Sequence, residues 1–217
     1  MKKSVYFLLA FFVLSGISEM RAQSVAHYFI QMPANLTPTV TTETKKDLVD
    51  FYNNGKSAAM PSALGGEVAI KELSDDYMLF QTSDKADMQL KLLRVNDTLR
   101  ILAVVHTVAA PLKDSRISFY SILWKPIDNI DFPQFTFLDF LDMEKGKSLG
   151  LADRFKEISL RNFVSYKFKQ NSPRMVVRSS VREDIRPEIL KDFEPVIKDS
   201  LIFVWDNARF NLLNADK

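Results

Sequence analysis

Gly-Lys-Ser ends the phosphate-binding loop of nucleotide hydrolases. It occurs twice in this chain of 217 residues, as Gly55-Lys56-Ser57 and Gly146-Lys147-Ser148. Such a loop carries a further glycine, separated from the Gly-Lys pair by four residues, so that bare backbone amides can wrap the anion. Asp50 and Leu141 stand at that place here. Asp50 would repel phosphate, and both copies follow a helical pattern where the loop requires a strand. Nucleotide chemistry is excluded. Gly55 and Gly146 read instead as helix stops, with Lys56 and Lys147 near carbonyl-rich helix ends that favour a cation.

Other reactive groupings are sparse. The chain has no Cys and two His, His27 and His106, in different elements and without His-x-x-x-His spacing. A zinc site would need both to converge with carboxylates, so no metal or other cofactor is expected. No Ser sits in a Gly-x-Ser-x-Gly elbow. The adjacent acids Asp75-Asp76, with Asp139, are the candidates for a carboxylate-dependent hydrolase, although a turn accounts for Asp75-Asp76 at less cost. Arg174, Arg178, Arg182 and Arg186 recur every fourth residue and read as a solvated face or exposed edge. Aromatic residues cluster between Phe119 and Phe140. Most belong to a core, and Trp124 and Phe132, beside Pro126 and Pro133, are the candidates to line a groove.

The start of the chain says where the protein works. Lys2-Lys3, an apolar run from Val5 to Ile17 and the small Ala22 form the layout of a secretory signal peptide, so cleavage after about residue 22 is expected; a retained anchor is the alternative. The run is short for a membrane span. The whole chain carries 29 basic and 27 acidic residues. Lys2, Lys3, Arg21 and Glu19 leave with the signal, and the mature chain is then electrically balanced. That gives no electrostatic case for nucleic acid or an anionic membrane as partner. Without disulfides, the exported chain must be held by its core.

The elements that would position these residues follow a simple order. Tyr28, Phe29 and Met32 suggest a short helix ending near Pro33. Thr42 can cap a second helix with an apolar stripe of Leu48, Val49, Phe51 and Tyr52 and a stop at Gly55. Residues 67–73, 76–82, 88–95, 99–108 and 116–124 read as strands in an antiparallel meander. In the third, Met88, Leu90 and Leu92 alternate with Gln89 and Lys91, which predicts one covered and one wet face. A Thr136–Asp139 capping box then opens a helix predicted to stop at Gly146. Strands at 162–170 and 174–181, a helix after Asp184 that breaks near Pro195, and strands at 200–206 and 209–213 complete the chain.

The surroundings of the two Gly-Lys-Ser copies run in parallel. "LLRVNDTLRILAVV" matches "KFKQNSPRMVVRSS" in layout, and "LKDSRISFYSILW" matches "IKDSLIFVW". An internal duplication would give this order, as would coincidence in ordinary turn chemistry. The expected fold is α+β, antiparallel sheets with helices packed on one side. It is divided into a signal at 1–22 and two tandem helix-plus-sheet units at 23–130 and 131–217.

"KKDLVDFYNNG", "LGGEVAIKELSDDYM", "KLLRVNDT" and "KDSRISFYSILWKPID" together resemble a Bacteroidetes-restricted family of exported proteins of unknown function. The resemblance implies a periplasmic or outer-envelope location and carries over no catalytic residue. Asp97-Thr98-Leu99 and Asp199-Ser200-Leu201 resemble the O-glycosylation motif of that phylum, making Thr98 and Ser200 candidate acceptors, with turn chemistry as the alternative. The function expected is a non-enzymatic binding module for an envelope protein or glycan, the alternative being the carboxylate-dependent hydrolase.

Overall fold

The computed structural model describes residues 23–157, 163–183 and 185–213. Helix α1 (Val25–Gln31) buries Val25, Tyr28 and Phe29 and ends ahead of Pro33. Helix α2 (Thr42–Asn53) buries Lys45, Leu48 and Val49. Its cap is Thr41, one residue before the expected Thr42, and the Thr41 side chain accepts the Thr44 amide. Lys45 is fully buried and donates from Nζ to the Met32 carbonyl at 2.7 Å, which ties α2 to the end of α1.

Six strands follow as a meander: β1 (Ala59–Pro61), β2 (Glu67–Leu73), β3 (Tyr77–Ser83), β4 (Ala86–Arg94), β5 (Arg100–Ala109) and β6 (Lys113–Ser121). All pairs are antiparallel and in sequence order. The short β1 lacks the apolar alternation that reveals the other five. Helices α1 and α2 cover one face of this sheet, packing on Val68, Met78, Phe80, Met88 and Leu90 among others.

The second half forms its own antiparallel sheet, from β7 (Val164–Phe168), β8 (Arg174–Ser179), β9 (Leu201–Asp206) and β10 (Arg209–Leu212), in the order β10-β9-β8-β7. It lies on the other face of the six-stranded sheet. Leu93, Ile101, Ala103, Val105 and Phe119 from the first sheet share one core with Phe168, Met175, Val177, Phe203, Trp205 and Phe210 from the second. The result is the expected α+β architecture, dominated by sheet, and its two halves are welded through a common interior. Helix α3 (Met143–Ser148), helix α4 (Pro187–Phe193) and 3₁₀ turns close a third, smaller cluster around Phe137, Phe155 and Phe193.

Two expectations need correction. Gln89 and Lys91 do not face water: they are 5% and 1% exposed, because the second sheet covers their side of β4. The buried pair serves the free edge of β7. The Gln89 amide accepts from the Phe168 N–H at 3.0 Å and donates to the Tyr166 carbonyl at 2.7 Å, as a neighbouring strand would. Lys91 Nζ donates to the Lys169 carbonyl at 2.9 Å. Ser115 Oγ and Asp114 Oδ1, from β6, accept the amides of Tyr166 and Val164.

The second correction concerns the glycines. Gly55 does stop α2: with φ +67°, it and Lys56 return their amides to the carbonyls of Tyr52 and Phe51. Gly146 is inside α3, buried under the ring of Phe155. The matching stop is Gly150, at φ +68°, where Gly150 and Leu151 bond back to Lys147 and Gly146. Both ends share one capping geometry, but the two tripeptides occupy different places in it. They therefore mark no common seam, although β4-β5-β6 and β7-β8-β9 do share a strand order. The Thr136–Asp139 capping box forms as expected, on a 3₁₀ turn at Phe137–Phe140, and α3 has its own cap in Asp142. Pro187 opens α4 after Arg186, and the expected cap Asp184 lies outside the described residues.

Three outcomes follow for stability, each read from urea-denaturation midpoints. Gln89→Ala leaves the Tyr166 carbonyl and Phe168 amide without partners in a buried seam and should cost about 2–4 kcal/mol. Gly146→Ala places a methyl group into the Phe155 ring and should cost about 1–3 kcal/mol through overpacking. Gly55→Ala, in open space, should show only the roughly 1 kcal/mol backbone penalty of its positive φ.

Candidate functional site

At one end of the molecule the turns of both sheets come together. The β4–β5 turn is set by Asn96, whose Oδ1 accepts from the amides of Thr98 at 3.0 Å and Leu99 at 2.8 Å. The β7–β8 turn carries Asn171 at φ +50°, and the two-residue β9–β10 turn carries Asn207 and Ala208 at φ +49° and +63°. A pair of left-handed residues suits the twist of a two-residue hairpin, and asparagine tolerates that conformation best among non-glycine residues. Between these turns lies a cleft of about 450 Å³ walled by Asp76, Arg94, Asn96, Asn171, Trp205 and Asn207, among others. It is the seam between the two halves of the chain.

The walls of the seam are fixed by internal bonds. Asp76 accepts from Lys91 Nζ at 2.5 Å, from the Asn171 amide at 2.9 Å and from Ser74 Oγ at 3.1 Å. Trp205 Nε1 donates to the Arg94 carbonyl at 2.6 Å, joining β9 to the end of β4. Arg94 reaches the Asn96 carbonyl and pairs with Asp97. A second cleft of about 880 Å³ shares Asp76, Leu92 and Arg94 and continues past His27, Asp75 and Arg100 to Gln23. Together they make one trough of mixed polar and apolar lining whose common wall is Asp76, Leu92 and Arg94.

Much of the hydrogen-bonding capacity there is already engaged. Asp76 has its oxygens engaged by three donors, and Asp139 is spent on its capping box, donor by donor at the Thr136 amide and hydroxyl. Asp75 is exposed on the β2–β3 turn, and its carbonyl accepts the Val25 amide. His27 opens on the trough and meets Tyr28 edge-on, with ring centroids 5.5 Å apart. His106 stands elsewhere, exposed on β5 opposite Arg116 of β6. Among the described residues no three His, Asp or Glu side chains are grouped to hold a metal ion.

The remaining sequence candidates are scattered. Trp124, at φ +61°, packs on Tyr120 on the helix side of the six-stranded sheet. Phe132 lies on the opposite side, in the inter-sheet core, 5.2 Å from Tyr166 and 5.4 Å from Phe210 by ring centroids. The two do not share a groove, because the sheet stands between them. Thr98 is exposed on the β4–β5 turn, and Ser200 is half-buried just ahead of β9. Asp199, beside it, pairs with Arg182 at 3.1 Å. Arg174, Arg178 and Arg186 are exposed. The trough residues Arg94, Asn171 and Asn207 escaped sequence reasoning. Their only signal was a place in or beside short polar turns, Arg94 closing the strand ahead of one, which gives no hint that three such turns converge.

A family model described as a protein of unknown function (DUF3256) matches residues 17–210. The chain belongs to this family. The DUF3256 match runs from before α1 into β10, so both sheets lie within one family unit. Among solved structures, a domain of an uncharacterised protein from Porphyromonas gingivalis W83 is similar over 88% of this chain and 100% of that one. The TM-score is 0.76 and the identity 24%, a likeness of fold. No curated protein matches the chain. Among the described residues of this DUF3256 member, no helix is long and apolar enough to cross a membrane.

Burial holds Lys91 below the ordinary lysine pKa of 10.5, while the hydrogen bond and charge of Asp76 pull the other way. The folded chain therefore releases this proton before the unfolded chain does. Lys91 makes stability rise with pH in the interval just below 10.5 and adds no slope above it. Lys91→Met should abolish that alkaline rise in the urea midpoint. At neutral pH it should cost about 2–4 kcal/mol, because Asp76 and the Lys169 carbonyl lose a charged donor.

Proposed function

We propose that this protein is an exported, non-enzymatic module of the cell envelope that binds a polar partner, a protein or a glycan, in the trough at the seam of its two halves. The observation that carries the reading is the construction of that trough. Its walls carry the side-chain amides of Asn96, Asn171 and Asn207, the guanidinium groups of Arg94 and Arg100, the Asp76 carboxylate and turn backbone beside apolar Leu92 and Trp205, and several of these groups are held by bonds that already exist without a ligand. A preformed polar wall spends little free energy on reorganisation when a partner arrives. The hydrogen bonds that engage Asp76 and Asp139 favour this reading over a carboxylate-dependent hydrolase, for which exposed Asp75 is the acid left ungrouped.

Export rests on the signal-like layout of the first 22 residues. Mass spectrometry of periplasmic material should find a mature N-terminus near Gln23; an intact Met1 in the cytosol would overturn export. Binding is tested by passing solubilised envelope proteins and, separately, envelope glycans over the immobilised mature chain. Arg94→Ala together with Asn207→Gly, a pair that keeps the turn, should weaken capture by about a hundredfold if each removes roughly 1.4 kcal/mol of contact. Undiminished capture by a folded double variant would sink the trough as the seat of binding.

A further inference from the structure

A sheet edge is a row of unpaired backbone donors and acceptors, and folded proteins shield it with short strands, prolines or covering groups. Three of the four edges here are managed in that way. β1 is three residues long and ends in Pro61. β10 is four residues long. The edge of β7 is satisfied by Asp114, Ser115, Gln89 and Lys91. The fourth edge, that of the nine-residue β6, is covered only at its ends.

At one end the Lys113 carbonyl accepts Ser180 Oγ at 2.7 Å. At the other the Phe119 carbonyl accepts the Ile127 amide, and the Ser121 amide donates to the Lys125 carbonyl, both at 2.9 Å. Because Phe119 and Ser121 point outward, alternation along the strand turns Ser115 and Ile117 outward too, while Arg116 and Ser118 pair with β5. Among the described residues, nothing meets the outward N–H and C=O groups of Ser115 and Ile117. Residues 125–127 run alongside β6 like the start of a seventh strand and then diverge. Phe132 and Phe135 are half-buried and pack against Tyr166, Phe203 and Phe210, so the segment cannot zip further down β6 without withdrawing its rings from these contacts. A cleft of about 490 Å³ opens between the two, with Ile117, Ile127, Ile130 and Phe132 on its apolar side.

We infer that this slot receives an extended segment of a partner chain, which adds a strand to β6 and places an apolar side chain beside Ile117 and an acidic one beside Arg116. Only an extended backbone offers donors and acceptors at the two-residue spacing of Ser115 and Ile117. The apolar position faces Ile130 and Phe132. The next position falls on the other face, where Arg116 is exposed, has no carboxylate partner among the described residues, and has His106 as its cross-strand neighbour. This surface is separate from the trough and stands without it.

The test follows backbone amide exchange by NMR on the mature chain, with a blocked nonapeptide of alternating Val and Glu as probe. In the free chain the amides of Ser115 and Ile117 should exchange rapidly and those of Arg116 and Ser118 slowly. Saturating peptide should slow Ser115 and Ile117 by about tenfold, the equivalent of one added hydrogen bond, and a fully N-methylated copy should leave them unchanged. Arg116→Glu should reverse the preference toward a Val–Lys peptide. No slowing with either peptide overturns the inference, as does equal slowing by the N-methylated copy. Protection of both amides in the dilute free chain would mean that the chain covers its own edge. Protection that grows with protein concentration would assign the slot to a second copy instead. Either result also overturns it.

Discussion

The fold depends on how one strand edge is laid against a sheet face. A sheet face presents side chains, whereas the edge of β7 presents backbone N–H and C=O groups. Buried against an apolar surface, each such group would cost about 1–3 kcal/mol. The face must therefore supply polar side chains at the right places, and it does. Gln89 and Lys91 are two positions apart on β4, a separation of about 7 Å along an extended strand, and they meet β7 at Tyr166, Phe168 and Lys169. The Gln89 amide does what an adjacent peptide group would do. Tyr77 adds its hydroxyl to the same Gln89 oxygen at 3.3 Å, and burial raises that hydroxyl's pKa, so it remains a donor across the working range.

This arrangement explains why the halves form one body. The second sheet buries one face of its aromatic side chains against β5 and β6, and its β7 edge ends on residues of β4 and β6. Separated, it would expose both an apolar face and an unpaired edge. The first sheet in turn would expose Ala103, Val105 and Phe119 beside a buried amide and a buried ammonium. Each half completes the solvent boundary of the other. The two sheets are thus successive in sequence and interdependent in packing.

How much of this was legible follows from the range of each signal. Helix caps and stops are local, so α1, α2 and the Thr136–Asp139 box could be read, with the cap of α2 displaced by one residue to Thr41. Strand alternation is also local and gave five of the six strands of the first sheet, but not the three-residue β1. Burial is not local. Gln89 and Lys91 carry the same alternation whether the far side of β4 meets water or another sheet, and their partners lie 77 and 78 residues away in sequence. Gly146 misled for a related reason. A glycine near a helix end is a stop or a contact, and only the position of Phe155 distinguishes them. Of the trough, the sequence marked only the adjacent acids Asp75-Asp76 and short polar turns, since the trough itself is made by the meeting of turns from both halves.

The same constraint accounts for the character of the trough. The row of polar side chains along β7 runs from Asp114 through Ser115 and Gln89 to Lys91 and Asp76, and its last members stand at the mouth of the seam. The seam is polar there because the β7–β8 turn must be held: Asp76 fixes the Asn171 amide, and Lys91 fixes the Lys169 carbonyl. Bonds that fasten the second sheet also fix the groups a partner would meet, so rigidity at this site is inherited from the packing of the fold. The open stretch of β6 is the converse case. There the row of covering side chains stops, the neighbouring segment turns away into the core, and backbone groups of an otherwise shielded sheet are left facing an open cleft with Ile117, Ile130 and Phe132 on one side.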